Sequence, residues 1–108
     1  MPREQFQTLS EPMYYVLLAL VDECKGIDVM SKVAGISGGR VVVGPGTVYA
    51  MLDKFLKNGV IWMTVCDGRK KTYLITDYGK KLLKEEYERS QILFSDGKRI
   101  LDKLVEEG

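Results

Sequence analysis

Gly44-Pro45-Gly46-Thr47-Val48-Tyr49-Ala50-Met51-Leu52-Asp53-Lys54-Phe55-Leu56-Lys57-Asn58-Gly59-Val60-Ile61, with Asp67-Gly68-Arg69-Lys70-Lys71-Thr72-Tyr73-Leu74-Ile75-Thr76 close behind, decides the fold of this 108-residue chain. Val48, Met51, Leu52, Phe55 and Leu56 recur at three- and four-residue steps, which places them on one face of a helix. That face predicts core. Thr47, Ala50, Asp53, Lys54 and Lys57 fall on the opposite side, where a small residue permits close approach and two lysines offer positive charge. Pro45 suits a first helical turn because its missing N–H would be unpaired there, and Asn58-Gly59 supplies a left-handed stop. Taken alone, this pattern fits an ordinary amphipathic surface helix equally well.

The next segment separates the two readings. Residues 60–66 and 72–75 have the β-branched and aromatic composition of strands, and Asp67-Gly68 between them favours a tight hairpin. Arg69, Lys70 and Lys71 then fall at or just past the tip, an arrangement suited to phosphate. Charges at a hairpin tip also keep an edge soluble. Joined to a helix that starts with small residues, they predict the reading head of a winged helix-turn-helix.

Composition is consistent with this. A chain of this length forms one domain that buries roughly 60–70% of the surface its unfolded form exposes. The formal net charge is only +1, but between residues 32 and 71 the cations Lys32, Arg40, Lys54, Lys57, Arg69, Lys70 and Lys71 face only Asp53 and Asp67. Positive charge is thus concentrated around the proposed head. The chain has no histidine, which removes Ser-His-Asp and Cys-His nucleophile chemistry, most zinc sites and the commonest general base. Glu85-Glu86 and Glu106-Glu107 lie in charged helical text and read as solvated faces, and the glycines form no phosphate-loop pattern. No enzyme, cofactor or metal site is expected. Cys24 and Cys66 lack metal spacing and read as small core hydrophobes, one on a buried helix and one on a strand; Trp62 also reads as core. The longest apolar stretch, residues 14–21, is far short of the roughly 20 residues that span a bilayer, and acids flank it. The expectation is a cytoplasmic protein with no membrane partner.

Outside the head, Ser10-Glu11-Pro12 opens a helix whose apolar stripe, Met13, Val16, Leu17, Leu20 and Val21, runs down to Cys24. A shorter helix follows over 27–36 and ends at Ser37-Gly38-Gly39, and Val41-Val42-Val43 suggests a short added strand. From Thr76 to Gly108 the chain contains no proline, which predicts one long helix with a potential kink at Gly97. Leu83, Tyr87, Ser90, Phe94, Gly97, Leu101 and Leu104 recur at alternating steps of four and three, a heptad seam. Leu82, Leu93, Ile100 and Val105 widen that stripe beyond the needs of one small core, which points to a partner helix and most simply to a homodimer. Folding back onto the first helix is the alternative. Small residues beside Tyr87 and Phe94 leave either a flat effector gap lined by Tyr87, Ser90 and Phe94 or simply a tighter helix pair.

Gly44 to Tyr49, Leu56 to Ile61, the Gly68 to Tyr73 wing, the Leu74-Ile75-Thr76-Asp77-Tyr78-Gly79 exit and Ser10-Glu11-Pro12-Met13-Tyr14-Tyr15 together resemble the PadR-like family of bacterial transcriptional regulators, over nearly the whole chain. The resemblance is to the small subtype: mainly α with a small β-hairpin, a winged helix-turn-helix over 1–75 and a C-terminal dimerisation helix over 76–108 packed on the same domain. It implies a homodimeric repressor that binds double-stranded operator DNA and is released by a small, often aromatic effector. Carried onto this chain, Thr47 and Tyr49 match the signature and Arg69, Lys70 and Lys71 the wing, so the candidate DNA contacts are Arg40, Gly46, Thr47, Tyr49, Ala50, Lys54, Lys57, Arg69, Lys70 and Lys71. Members often carry His-Gly-Tyr where this chain has Lys25-Gly26-Ile27, and a more basic run where it has Val41-Val42-Val43. Two other classes remain open: a winged helix that binds protein in place of DNA, and a constitutive DNA binder without an effector.

Overall fold

The computed structural model describes residues 8–68 and 70–107. Helix α1 (Glu11–Ala19) starts where Ser10 Oγ accepts the Met13 N–H at 3.4 Å, with Glu11 and Pro12 in its first turn. It ends before the predicted Cys24 because the Leu20 carbonyl accepts a bond from Ile75 N–H at 2.9 Å, which ties the helix end to a strand. Strand β1 (Cys24–Lys25) then pairs with β3 (Lys70–Ile75), Cys24 opposite Tyr73 and Lys25 opposite Thr72. Cys24 is buried as expected, but on a strand instead of a helix. A single 3₁₀ turn, Gly26–Asp28, leads into α2 (Val29–Ile36).

Gly38 and Gly39 take φ values of +63° and +83°, and Gly39 N–H closes back onto Ala34 O at 2.7 Å. Ser37 Oγ accepts Val41 N–H at 2.9 Å and folds the following loop inward. The expected strand at Val41-Val42-Val43 does not form, since among the described residues no strand lies beside it to pair with. The loop instead plugs the core with Val41 and Val43 and leaves Val42 82% exposed.

Helix α3 (Pro45–Lys57) follows the predicted periodicity. Val48, Leu52 and Phe55 are buried, Met51 and Leu56 half-buried, and Gly59 at φ +72° lets Val60 N–H return to Phe55 O at 2.9 Å. Strand β2 (Ile61–Asp67) pairs with β3 in the order β1-β3-β2, and Asp67 sits opposite Lys70 around the turn that Gly68 opens at φ +61°. Between Met63 and Val65 the register slips by one residue, a bulge at Thr64. Two expectations fail on this strand. Trp62 is 57% exposed and Cys66 is exposed, because among the described residues no layer packs over the outer face of the hairpin or the part of β2 past the bulge.

Helix α4 (Asp77–Glu107) runs through Gly97 without interruption. Thr76 caps it: its Oγ1 accepts Gly79 N–H at 3.0 Å and lies 2.7 Å from Gly59 O and 2.9 Å from Val60 O. Gly79 is required by packing. A Cβ there would lie 2.2 Å from Val60 O and 2.6 Å from Ile75 Cγ1. Leu82 and Leu83 join the core formed by α1, α2, α3 and the sheet, so Leu83, predicted at the seam, is buried within its own chain. Glu86, predicted to be solvated, is buried as well. Its Oε1 accepts Leu9 N–H at 3.1 Å and its Oε2 accepts Arg89 Nη2–H at 2.5 Å. The Arg89 bond holds the Glu86 carboxyl below the ordinary carboxylate range; burial pushes the other way and is outweighed.

Candidate nucleic-acid interface

The exposed end of α3 begins with Gly44-Pro45-Gly46-Thr47. The first intrahelical bond recorded there is donated by Val48 N–H to Gly44 O at 3.0 Å, so the N–H groups of Gly46 and Thr47 precede the helical ladder. With the positive end of the helix dipole, they are donors of the kind that suits an anion. Gly46, Thr47 and Ala50 are all exposed. Tyr49, half exposed, leans toward the sheet, where its ring lines one cleft with Lys70, Lys71 and Tyr73. Helix α2 packs against α3 from behind, the two-helix arrangement in which the second helix is presented outward.

The wing stands beside this helix. Lys71 occupies the face of β3 shared with Tyr73 and Ile75, while Lys70 at the strand's start points to the other face, and both are exposed. Arg69, predicted as the third wing cation, lies outside the described residues. Farther along α3, Lys57 pairs with Asp53 at 3.0 Å, a surface contact worth about 0.3–0.5 kcal/mol that leaves the ammonium available to a stronger anion. Lys54, one turn before the helix end, is exposed. Gly46, Thr47, Tyr49, Ala50, Lys70 and Lys71 thus lie at the α3 start and wing, with Lys54 and Lys57 at the far end of the helix.

Arg40 is placed differently. Its Nη1 donates to Glu11 Oε2 at 2.6 Å, its Nη2 donates to Tyr15 Oη at 2.7 Å, and its guanidinium carbon lies 5.5 Å from the centre of the Tyr15 ring. Arg40 therefore ties the loop before α3 to α1, and its charge is already balanced. The hydrogen bond to Glu11 holds its proton more tightly than usual. This cluster is not legible in the sequence, because Arg40 lies 29 and 25 positions away from Glu11 and Tyr15. Lys25 and Ile27, singled out in the sequence only as a departure from the family, line the same cleft as Tyr49 and Tyr73 because β1 pairs with β3.

The distal half of α4 contributes the other candidate surface. Tyr87, Ser90, Phe94, Leu101 and Leu104 are exposed, Phe94 at 73%, with Leu93 and Ile100 flanking them, exposed Ile92 on the opposite side of the helix and Gly97 half-buried. Tyr87, Ser90 and Phe94 border an open groove with Gln91 and Ser95, all on this one helix. Among the described residues no group of histidine, cysteine, aspartate and glutamate is placed to hold a metal, and no helix is long and apolar enough to cross a membrane.

A helix pair that presents α3, followed by a two-stranded wing and a helical extension, defines a winged helix-turn-helix protein. The chain belongs to the transcriptional regulator PadR-like family, whose model matches residues 16–85. Solved structures share the fold. RosR of H. salinarum is 19% identical over 94% of this chain and 94% of that chain, with a TM-score of 0.69. A PadR family transcriptional regulator from Eggerthella lenta is 18% identical over 92% and 87%, with a TM-score of 0.71. Bacillus subtilis PadR, solved in complex with operator DNA, is 27% identical over 70% of this chain and 47% of that one, with a TM-score of 0.59. No curated protein matches the chain in sequence.

Proposed function

We propose that this chain is a homodimeric, sequence-specific DNA-binding repressor. The observation that carries the reading is the exposed, anion-ready start of α3 set beside the lysines of the wing, in a family of transcriptional regulators one of whose structural neighbours was solved on operator DNA. Two α3 helices enter successive major grooves about 34 Å apart, Thr47 and the neighbouring amides fix phosphates, and the wing lysines grip the flanking backbone. Lys54 and Lys57 add charge at the far end of α3.

The second copy covers the distal half of α4, where the seam residues Tyr87, Ser90, Phe94, Gly97, Leu101 and Leu104 meet their counterparts. Closure of the open groove at Tyr87, Ser90 and Phe94 by a second helix makes room for a flat aromatic effector, which releases DNA by favouring a dimer whose heads are wrongly spaced. Titration of the protein onto a duplex taken from upstream of its own gene tests the DNA reading. Binding that prefers this duplex over a scrambled one and weakens steeply with salt is expected. Equal, weak binding to both duplexes, together with no enrichment in a random-site selection, contradicts it.

A further inference from the structure

The loop that delivers α3 has glycine at both ends, Gly38 and Gly39 at positive φ before it and Gly44 at the cap of α3 after it. Such ends do not fix a path by themselves. Between them the side chains alternate: Arg40 and Val42 are exposed, Val41 and Val43 buried. A slip of one residue would turn both valines out into water, so the course of the segment depends on how its first residue is held. Val41 N–H is bonded to Ser37 Oγ on the inner side, and Arg40 is bonded to α1 on the outer side.

The outer tie is built from a matched set. Glu11 and Tyr15 are one turn apart on α1 and face the guanidinium together, Glu11 Oε2 accepting from Nη1 at 2.6 Å and Tyr15 Oη from Nη2 at 2.7 Å. The Tyr15 ring lies 5.5 Å from the guanidinium carbon and meets the Tyr14 ring edge-on, with centroids 5.8 Å apart. Two nitrogens and a flat face are used at once, which the point charge of a lysine does not reproduce. We propose that Glu11, Tyr15 and Arg40 form a clasp that positions the start of α3 for DNA, with Arg40 acting through the loop and touching no phosphate. The clasp rests on the DNA reading given above, and it makes two residues of α1 necessary for binding that they never contact.

The two roles open to Arg40 differ in sign. If Arg40 gripped phosphate, Glu11 would restrain it, and loss of that acid would tighten DNA binding. If Arg40 is a clasp, loss of Glu11 weakens binding even though a negative charge has been removed. Wild type, Glu11→Ala, Tyr15→Phe, Arg40→Ala and Arg40→Lys are therefore titrated onto the duplex the wild type prefers, over a range of salt, each checked as folded by circular dichroism. Arg40 and Glu11 are exposed, so the fold should survive every change. Glu11→Ala and Arg40→Ala are each expected to weaken binding by roughly three- to tenfold with the slope of log K against log salt unchanged, and Arg40→Lys to restore little. Tighter binding by Glu11→Ala overturns the clasp, as does a slope flattened by about one per half-site in Arg40→Ala and recovered in Arg40→Lys. In the DNA-free protein, Glu11→Ala and Tyr15→Phe should shift the amide resonances of Gly44, Gly46 and Thr47; shifts confined to α1 and Arg40 overturn it too. A wild type with no preference among duplexes refutes the DNA reading, whereas a selective wild type with unweakened clasp variants refutes the clasp alone.

Discussion

Helix α4 is one unbroken element with two unlike halves. In the first, Tyr78, Gly79, Leu82, Leu83 and Glu86 pack onto the sheet, α1 and the segment before α1, and the single carboxylate buried there is satisfied by Leu9 and Arg89. In the second, Leu93, Phe94, Ile100, Leu101 and Leu104 carry a comparable apolar load that is left exposed among the described residues. A helix of 31 residues is about 46 Å long and outruns the head it grows from, which gives the chain principal extents of 61 × 33 × 21 Å. The contrast separates two tasks. The first half completes the fold of one chain, and the second is proposed to hold two chains at the spacing DNA requires.

The sharpest way to break this division is to substitute the two α4 glycines that lie on either side of it. Gly79→Ala drives a Cβ into Val60 O and should cost about 3 kcal/mol, read as a lower urea midpoint at any protein concentration. Gly97, by contrast, has nothing within 4 Å of the position a Cβ would take. Gly97→Ala should raise the intrinsic stability of the helix by up to about 1 kcal/mol. If the seam passes through this position, the same change weakens self-association, seen in a dilution series.

The buried carboxylate sharpens the first half further. Glu86→Gln keeps the size but removes the charge that Arg89 and Leu9 N–H bind, and should cost about 1–2 kcal/mol at pH 7. The folded carboxyl is held below its unfolded value of about 4.3, so its stabilisation is fully present above that pH and lost as pH falls through the folded value. The gap between wild type and Glu86→Gln in urea melts should therefore narrow on acidification below about pH 4. A gap that stays constant to pH 3 contradicts this account of Glu86.

The smallest effect concerns the head. Lys70→Ala should leave the fold unchanged and flatten the slope of log K against log salt by about one per half-site, with similar losses on all sequences. An unchanged slope removes Lys70 from the phosphate contacts.

Where the sequence was legible, the signals were local. Pro45 at the start and Asn58-Gly59 at the end, with apolar residues at helical spacing between them, are sufficient to place α3. Asp67-Gly68 likewise locates the hairpin. What was not legible depends on distant partners. Strand β1 is two residues long and exists only because β3 lies beside it. Glu86 resembles its solvated neighbours in sequence, and its acceptor role is fixed by Leu9, 77 positions away. Trp62 and Cys66 look like core because they are apolar strand residues, but sheet faces are assigned by what packs over them and by the slip at Thr64. Within the candidate site, the residues of the α3 start and wing were readable, whereas Arg40's ties to Glu11 and Tyr15 and the cleft at Gly26 arise only from the tertiary fold.

The division of α4 is tested most directly by sedimentation equilibrium of the wild-type chain beside Phe94→Asp/Leu101→Asp, with circular dichroism on the same samples. The account predicts a dimer mass for the wild type, a monomer mass for the double variant and a folded head in both. A monomeric wild type, or a double variant that remains dimeric, would contradict it.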